Sequence, residues 1–319
     1  MKKVYFILNL LAGKAMISEK LADIIDSLTK AGYEVTVHPT QSSEDAFECA
    51  KDLYDKYDML ICAGGDGTLS QCIQGVMSSE KRLPIGYIPA GSTNDFAKNL
   101  GISSNPLEAV ETIISGHRMG CDIGSFNGQF FSYIAAFGAF TNVTYETPQN
   151  IKNVLGHMAY LLGGISQLNT VRSKRMRAEY DGNVIEGDFI FGMVTNSSSV
   201  AGLLSMNDFL LDDGVFEVTL IEKPANIVQL PKIIRSLLNI NEEINKNYIK
   251  FFRTSRIKFI SLGDEPVSWT RDGEFGGDNA VNEIICCNKA LEFMVKEKKE
   301  NYFVEDSIEF FDDYDENVT

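Results

Sequence analysis

The first 120 or so residues alternate between short apolar segments with strand character and segments whose apolar residues have helical spacing. Repeated strand–helix units predict a mainly parallel sheet, with ligands bound at the carboxyl ends of its strands. Ser43 is the predicted N-cap of the second helix. The predicted strands are Val4–Leu8, Tyr33–His38, Met59–Ala63 and Leu83–Ile88, and the predicted helices are Ser18–Ala31, Ser43–Tyr57, Leu69–Met77 and Phe96–Leu100.

The pattern changes at about Cys121, where strands separated by tight turns begin to dominate. Asn127-Gly128 and Asp181-Gly182 predict β-hairpins. The expected fold is an α/β N-terminal domain with a mainly parallel sheet (1–120), then a mostly antiparallel β-sandwich domain with helical insertions (121–298). The further predicted strands are Phe189–Val194, Val215–Ile221, Ile257–Leu262 and Leu291–Val295, and the insertions are Val154–Leu168 and Ile227–Leu238.

Composition excludes several classes of protein. A net charge of −15 argues against a nucleic-acid partner, and no apolar run approaches the roughly 20 residues that span a bilayer. The six cysteines show no Cys-x-x-Cys pairing, which predicts reduced thiols and a cytoplasmic location. Within the tail 299–319, residues 300–319 carry eight carboxylates and no Lys or Arg, which favours partial disorder, although the aromatic residues there leave docking on the protein's own surface open.

A glycine-rich turn, Gly64-Gly65-Asp66-Gly67-Thr68, joins the third predicted strand to a helix. Glycines let a large anion approach the backbone, and the amides that begin the helix then face it. Because Asp66 would repel a bare phosphate, Mg²⁺ is expected between them. No Lys follows the glycines, so this is not a Walker A loop, and a purely structural strand–turn–helix remains the alternative.

A second loop, Gly91-Ser92-Thr93-Asn94-Asp95, follows the next predicted strand. Successive strand ends of a doubly wound sheet lie side by side, so both loops are expected to face one cleft. Ser92 and Thr93 offer hydroxyl groups to phosphate oxygens. Capping of the next helix by Asn94 and Asp95 is the structural alternative.

A third segment, Asp272-Gly273-Glu274, places two carboxylates around one glycine. Side chains two apart in an extended segment lie on one side of the strand, so Asp272 and Glu274 could converge as a base and its orienting partner. An Asp-Gly hairpin turn is the alternative.

Together, Gly-Gly-Asp-Gly-Thr, Gly-Ser-Thr-Asn-Asp-Phe-Ala and Asp-Gly-Glu resemble the diacylglycerol kinase-like lipid kinase family, and the bacterial soluble diacylglycerol kinases most of all. The resemblance covers about residues 1 to 298. It implies two domains with a nucleotide cleft between them, and transfer of the γ-phosphoryl group of ATP to a lipid hydroxyl with Mg²⁺. Diacylglycerol, giving phosphatidic acid, is the expected acceptor, although phosphatidylglycerol, a long-chain base or a glycolipid would also suit.

The resemblance also implies roles for individual residues. Glu274 is favoured as the base, Asp272 as its partner, and Asp66 as the residue at the Mg²⁺–phosphate end. A structural Mg²⁺ is implied at Asp213 with the backbone carbonyls of Leu210 and Val215, where a plain Asp-Asp-Gly turn is the alternative. The family's Asn-Pro after the first strand is replaced here by Asn9-Leu10. The implied nucleotide-binding residues are Asn9, Thr40, Gly64, Gly65, Asp66, Gly67, Thr68, Leu69, Ser92, Asn94 and Asp95.

The implied partner is a membrane lipid at the bilayer surface, which would place the protein peripherally at the inner face of the membrane. Candidate contacts are the basic run Arg172–Arg177 and the segment Ile227–Leu238, with a solvated strand edge and a core-packing helix as the alternatives. A homodimer is compatible with the sequence. The rival functions are an NAD kinase-like or phosphofructokinase-like enzyme and a non-catalytic lipid- or nucleotide-binding regulator.

Overall fold

The computed structural model describes residues 1–12, 16–51, 53–91, 94–138, 172–196, 210–226 and 248–296. Its N-terminal part alternates strands and helices, as the sequence predicts. The elements there are β1 (Lys2–Leu8), α1 (Met16–Lys30), β2 (Tyr33–Pro39), α2 (Asp45–Ala50), β3 (Met59–Gly64), α3 (Asp66–Met77), β4 (Ile85–Pro89), α4 (Asp95–Asn99) and α5 (Pro106–Ser115).

The remaining elements are all strands among the described residues. Those before residue 200 are β5 (His117–Phe126), β6 (Gln129–Phe131), β7 (Ile134–Gly138), β8 (Lys174–Tyr180) and β9 (Asn183–Thr195). Those after it are β10 (Phe216–Glu222), β11 (Ile249–Thr254), β12 (Arg256–Ser261), β13 (Trp269–Arg271), β14 (Glu274–Gly277) and β15 (Val281–Val295).

The first four strands form the predicted parallel sheet, in the order β4-β3-β1-β2. Leu8 is in register with Ala63 on one side and with Pro39 on the other, and Gly64 is in register with Pro89. The four strands therefore end at nearly the same level. Strands β3 and β4 are buried along their whole length, as expected where helices cover both faces of a parallel sheet.

The later strands pair antiparallel and form a sandwich-like region, which confirms the predicted fold class. Asn127-Gly128 joins β5 to β6 and Asp181-Gly182 joins β8 to β9, so both predicted hairpins are present. All four turn residues have positive φ, from 45° to 82°, which is what the tight hairpin turns of this type require.

Strand β15 connects the two regions. It pairs antiparallel with β5 and β12, and its Phe293 is in register with Ile85 of parallel strand β4. The sheet is therefore continuous along the path β14-β13-β7-β9-β8-β12-β15-β4-β3-β1-β2. The hydrophobic core has two clusters, one around the parallel strands and α-helices and one around Trp269. The domain limits 1–120, 121–298 and 299–319 stay predictions.

Two predictions about helices were wrong. Helix α2 ends at Ala50 rather than Tyr57, because Lys51 adopts an extended conformation with φ −72° and ψ 139°. Its N-cap is Glu44 rather than Ser43, with no side-chain cap hydrogen bond. Helix α5 was not predicted, although its signals are local: Pro106 stands in the first turn and the Asn105 side chain accepts from Leu107 N at 3.0 Å.

None of the helices within the described part combines the length and apolar character needed to cross a bilayer.

Several sequence predictions lie outside the described residues. The predictions that lie outside are the helices Val154–Leu168 and Ile227–Leu238, Ser92 and Thr93 of the second loop, and the acidic tail 299–319.

Candidate active site

The carboxyl edge of the parallel sheet brings together predicted nucleotide-binding residues from four strands. Asn9 follows β1, its amide donates to Ala63 O at 2.9 Å, and its side-chain Nδ2 donates to Thr68 Oγ1 at 3.0 Å. Thr40 follows β2, and its amide donates to Leu8 O at 2.9 Å. Asn9 therefore ties the end of β1 to the glycine turn after β3.

The two glycine-containing loops touch each other at their glycines. A Cβ atom built on Gly91 would lie 2.7 Å from Gly65 Cα, and one built on Gly65 would lie 3.2 Å from Gly91 Cα. Asn94 closes the second loop on itself: its Oδ1 accepts from Gly91 N and its Nδ2 donates to Gly91 O, both at 2.8 Å. The two loops thus lie side by side, where the sequence predicts one cleft, and a Cβ atom at position 91 would come too close to Gly65.

The structural alternative for Asn94 and Asp95, capping of the next helix, is not what the structure contains. Asn94 occupies the N-cap position of α4 in the left-handed region, with φ 50°, but its side chain binds Gly91 and makes no cap hydrogen bond. Asp95 is the first residue of α4, and its carboxylate accepts a hydrogen bond from Lys98 Nζ at 3.0 Å. The Asn94 side chain closes the loop through Gly91 and is therefore not available to cap the helix.

Helix α3 presents its N-terminus to this cleft. Gly65 is the N-cap residue and offers no side chain to cap the helix, so the amides of Asp66, Gly67 and Thr68 have no side-chain cap. A Cβ on Gly67 would meet nothing within 4 Å, so this turn is open. Leu69 is different: its side chain is fully buried in the core and its amide donates to Gly65 O at 3.1 Å, so Leu69 shapes the helix rather than facing a ligand.

Asp66 carries a carboxylate that the protein leaves half satisfied. Its Oδ2 accepts from Asp95 N at 3.3 Å, whereas its Oδ1 is buried without a hydrogen-bond partner among the described residues. Burial, followed by the negative charges of Asp95 and Asp272, raises the pKa of this carboxyl above its ordinary value. A buried, unpartnered carboxylate oxygen beside an uncapped helix N-terminus fits a Mg²⁺ ion held between Asp66 and a phosphate.

Asp272 and Gly273 form the turn between β13 and β14, with φ 45° and 86°. The expected extended segment was therefore wrong, and the Asp-Gly hairpin alternative is what the structure contains. The Asp272 carboxylate is buried and accepts five hydrogen bonds. Oδ2 accepts from Ser132 N (2.6 Å), Ser132 Oγ (2.8 Å) and Ser70 Oγ (3.2 Å), and Oδ1 accepts from Tyr133 N (3.0 Å) and Ile134 N (3.2 Å).

Five donors exceed the roughly four acceptor positions of a carboxylate, so Asp272 is saturated and held in one orientation. This fixes the hairpin from which Glu274 extends. Glu274 is exposed at the start of β14, and its carboxylate is therefore accessible to a substrate. The two acidic residues have different surroundings although only Gly273 separates them.

Ser70 links the glycine turn to this hairpin across 202 residues of sequence. Asp66 and Ser70 are four residues apart on α3 and therefore share one face of the helix. Since Ser70 contacts Asp272, that face is turned toward the β13–β14 hairpin. The structure thus brings the first and third sequence motifs to one place.

The buried phenol of Tyr133 lies among the acidic residues of the site. Burial is the main cause of its raised pKa, and the further causes are the negative charges of Asp272, Asp66, Asp95 and Glu274. Sequence reasoning missed Tyr133, Ser132 and Ser70. Helical spacing from Asp66 could have found Ser70, but no local signal marks Ser132 or Tyr133, which bind Asp272 through backbone amides.

A cavity of about 430 Å³ lies at the β13–β14 hairpin, and half-exposed Phe275 lines it together with Arg271. The Arg271 guanidinium donates to Phe130 O at 3.2 Å, and burial lowers its pKa. An apolar ring and a partly buried cation therefore line this cavity, and the Glu274 carboxylate is not among its lining groups. The other lining residues are Asn127, Gln129, Gly276, Gly277 and Asn279.

The implied structural magnesium site contains an internal ion pair. The Oδ2 of Asp213 pairs with the Arg253 guanidinium, and its Oδ1 accepts from Val215 N at 3.1 Å. Arg253 also donates to buried Glu217 at 3.0 Å, and burial raises the pKa of Glu217 to about 7. Because the Arg253 guanidinium already pairs with Asp213, the set Asp213, Leu210 and Val215 does not fit Mg²⁺ in this arrangement. No step of the proposed reaction uses a metal ion at this place.

The basic run Arg172–Arg177 is neutralised by carboxylates. Each of its four cations has an acidic partner within 3.5 Å, so the run is not a free basic patch. The pairs are Arg172–Glu265 (3.3 Å), Lys174–Glu265 (2.9 Å), Arg175–Asp188 (3.5 Å) and Arg177–Glu186 (2.5 Å).

Comparison with known families covers nearly the whole chain. A family model described as the diacylglycerol kinase catalytic domain matches residues 3–126, and one described as the YegS C-terminal NAD kinase beta sandwich-like domain matches residues 136–295. Diacylglycerol kinase from Bacillus subtilis is 35% identical over 280 residues, which are 87% of this chain and 91% of that protein. Diacylglycerol kinase from Staphylococcus aureus is 35% identical over 283 residues, 88% of this chain and 89% of that protein.

Solved structures share the fold. A crystal structure of a diacylglycerol kinase from Bacillus anthracis has a TM-score of 0.72 at 23% identity, covering 92% of this chain and 97% of that one. Yeast NADH kinase complexed with NADH has a TM-score of 0.54 at 12% identity, covering 100% of this chain and 90% of that one. At these identities the two likenesses concern the fold alone.

Proposed function

Since this chain belongs to the diacylglycerol kinase family and is a lipid kinase, we propose that it transfers the γ-phosphoryl group of ATP to the hydroxyl group of diacylglycerol, giving phosphatidic acid. The observation that carries the proposal is the contact between α3 and the β13–β14 hairpin through Ser70 and Asp272. This contact joins helix α3, whose uncapped N-terminus would bind phosphate, to the hairpin that carries the accessible carboxylate of Glu274.

On the donor side, the triphosphate of ATP would lie at the N-terminus of α3, between the two loops that meet at Gly65 and Gly91. The unpartnered Oδ1 of Asp66 is the atom suited to a Mg²⁺ ion. When bound, Mg²⁺ would neutralise charge that develops on the phosphate oxygens. Asn9 and Thr40 border the same edge of the sheet and would contact the nucleotide.

On the acceptor side, Glu274 would act as the base that accepts the hydroxyl proton as the new oxygen–phosphorus bond forms and the bond to ADP breaks. Asp272 would be a positioning residue, because its carboxylate is already saturated by five donors. The sequence left open which of the two carboxylates is the base. This assignment follows from the difference in their surroundings.

The acceptor would approach along the β13–β14 hairpin, where Phe275 lines the cavity and Glu274 is the preceding residue of the strand. An exposed aromatic ring beside the base favours an acceptor with an apolar body, such as a diacylglycerol, over a nucleotide. The protein would therefore work at the membrane surface, peripherally at the inner face. Because the basic run at 172–177 is neutralised, we propose that apolar contact rather than basic charge brings the site to the lipid.

The test is turnover with ATP and Mg²⁺ against a panel of acceptors, with products identified by mass spectrometry. The panel comprises diacylglycerol, phosphatidylglycerol and a long-chain base in mixed micelles, together with NAD and NADH in solution. The expected result is formation of phosphatidic acid from diacylglycerol, at a rate that falls at least ~100-fold in Asp66→Ala. Phosphorylation of NAD or NADH in preference to every lipid would overturn the proposal, and preference for another lipid would overturn the choice of acceptor.

A further inference from the structure

Three side chains with metal-binding donor atoms converge where β2 ends and α2 begins. His38 Nε2 lies 3.0 Å from Asp45 Oδ2 and 3.1 Å from Cys49 Sγ, and Cys49 Sγ lies 3.3 Å from Asp45 Oδ1. The three donor atoms all lie within 4.8 Å of one another. Asp45 and Cys49 are four residues apart and share one face of α2, so the chain presents both to His38.

Two hydrogen bonds hold this cluster together. A carboxylate only accepts, so the imidazole Nε2–H donates to Asp45 Oδ2 and the thiol donates to Asp45 Oδ1. The Gln41 amide also donates to Oδ2, at 2.6 Å, and fixes the carboxylate. The point between the three side chains is thus surrounded by a nitrogen, an oxygen and a sulfur, each able to bind a cation once its hydrogen has moved.

The same geometry argues against a nucleophilic role for Cys49. A Cys–His–Asp relay uses the two ring nitrogens of the histidine for different partners, whereas here one nitrogen, Nε2, faces both the thiol and the carboxylate. Burial and the neighbouring carboxylate of Asp45 raise the pKa of Cys49 to about 11. The thiol therefore stays protonated at neutral pH unless a cation replaces its hydrogen.

We propose that His38 Nε2, the Asp45 carboxylate and Cys49 Sγ form a binding site for one thiophilic divalent cation, with Zn²⁺ the best match. One neutral imidazole, one carboxylate and one thiolate balance the two positive charges, and a water would complete a tetrahedron. Ordinary zinc bond lengths place such donors about 3.4 to 3.6 Å apart. The observed separations are 3.0 Å from Nε2 to Oδ2, 3.1 Å from Nε2 to Sγ and 3.3 Å from Sγ to Oδ1. Because they involve both carboxylate oxygens, binding would need a small rotation of the Asp45 carboxylate as well as a widening of a few tenths of an ångström.

The protons balance in a way that can be measured. The thiol hydrogen leaves to solvent, and the imidazole hydrogen moves from Nε2 to Nδ1, so binding releases one proton per cation. Tyr5 hydrogen-bonds to Cys49 and would support the bound sulfur from outside the coordination shell. Mg²⁺ prefers oxygen ligands in octahedral geometry and would not compete here.

The experiment is a Co²⁺ titration of the full-length protein after metal removal, followed by absorption spectroscopy. We expect one equivalent of Co²⁺ to give a thiolate-to-metal charge-transfer band and the visible bands of a tetrahedral ion, with release of about one proton. Zn²⁺ should abolish these bands by displacement, and Mg²⁺ should not.

Variants separate this site from other binding. His38→Gln and Cys49→Ser should each lower Zn²⁺ affinity at least ~100-fold, more than loss of an outer-shell partner usually costs. The matched controls His117→Gln, on an exposed residue, and Cys287→Ser, on a half-buried one, should bind as the natural protein does. Circular dichroism verifies folding of each variant. Absence of the charge-transfer band in the natural protein, or its persistence in folded Cys49→Ser, would overturn the proposal.

Discussion

Three acidic side chains of the candidate site differ in what surrounds them rather than in chemical type. Within the part of the chain that the structure describes, Asp66 has one buried oxygen without a partner, Asp272 accepts five hydrogen bonds, and Glu274 is exposed. A carboxylate without partners suits a cation, a saturated one suits positioning, and an accessible one suits proton transfer. Environment therefore assigns three roles to residues that look alike in the sequence.

Replacing Asp66 with Asn should raise stability while removing activity. Burial raises the pKa of Asp66, so the ionised form opposes folding: its contribution to stability is greatest below the ordinary value of about 3.9 and is lost as pH rises through the raised pKa. In EDTA, Asp66→Asn should therefore gain stability relative to the natural protein as pH increases. Urea unfolding across pH tests this, and a difference that does not vary with pH would contradict it.

Glu274→Gln and Asp272→Asn should fail in different ways. Glu274→Gln should lose at least ~100-fold in kcat with little change in stability or in the KM for ATP, because it removes an exposed base. Asp272→Asn should lose about 2–4 kcal/mol of unfolding free energy, because the NH2 group of the asparagine would face some of the five buried donors and leave them without an acceptor. Steady-state kinetics and denaturant unfolding on both variants separate the roles, and equal stability losses would contradict the distinction.

At the scale of elements, the cleft depends on two strand-to-helix loops that approach more closely than side chains allow. Gly65 and Gly91 face each other, and the reciprocal hydrogen bonds between Asn94 and Gly91 hold the second loop in its closed shape. The helix N-termini of α3 and α4 are thereby set side by side. Close packing of two loops, rather than either loop alone, defines the place where we propose that the phosphates bind.

Gly91→Ala should push the loops apart. Its Cβ would lie 2.7 Å from Gly65 Cα, a contact that only backbone movement relieves. We expect the KM for ATP to rise roughly 10-fold or more, since small misplacements of binding groups are costly. Gly263→Ala is the control, because its Cβ would meet nothing within 4 Å. An unchanged KM in Gly91→Ala, or an equal rise in the control, would show that the loop contact does not position the nucleotide.

At the scale of the whole molecule, β15 makes one sheet out of two regions. It spans Val281–Val295, pairs with β5 and β12, and reaches β4 through Phe293. Phe293 is fully buried and contacts Phe96 edge to face, with ring centroids 5.0 Å apart. The active-site elements from both regions are therefore held on one continuous framework.

Phe293→Ala should destabilise both regions together, by roughly 3–5 kcal/mol, as expected for loss of a buried aromatic side chain. Trp269 is the sole tryptophan and lies in the other hydrophobic cluster, so its fluorescence reports on that region separately. Its unfolding midpoint should shift as much as the midpoint seen by circular dichroism. Val281→Ala, exposed on the same strand, should change neither. A shift confined to circular dichroism would indicate independent unfolding.

Local signals were enough to predict much of the protein. The glycine turn, the Asn127-Gly128 and Asp181-Gly182 hairpins and the parallel-to-antiparallel change depend on backbone preferences within a few residues, and the structure contains all of them. The same preferences favoured a hairpin at Asp272-Gly273, which the sequence left as an alternative. Short-range patterns thus determined the fold class, and the resemblance of three motifs to a known family pointed to a kinase.

Long-range contacts decided what the local pattern left open. Ser70 meets Asp272 across 202 residues, and Arg253 reaches Asp213 across 40, where the sequence pointed to a metal. Whether a carboxylate is saturated, unpartnered or paired with a guanidinium depends on neighbours that arrive only when the chain folds. Local sequence sets backbone conformation, whereas the charge and solvation of a site belong to the three-dimensional arrangement.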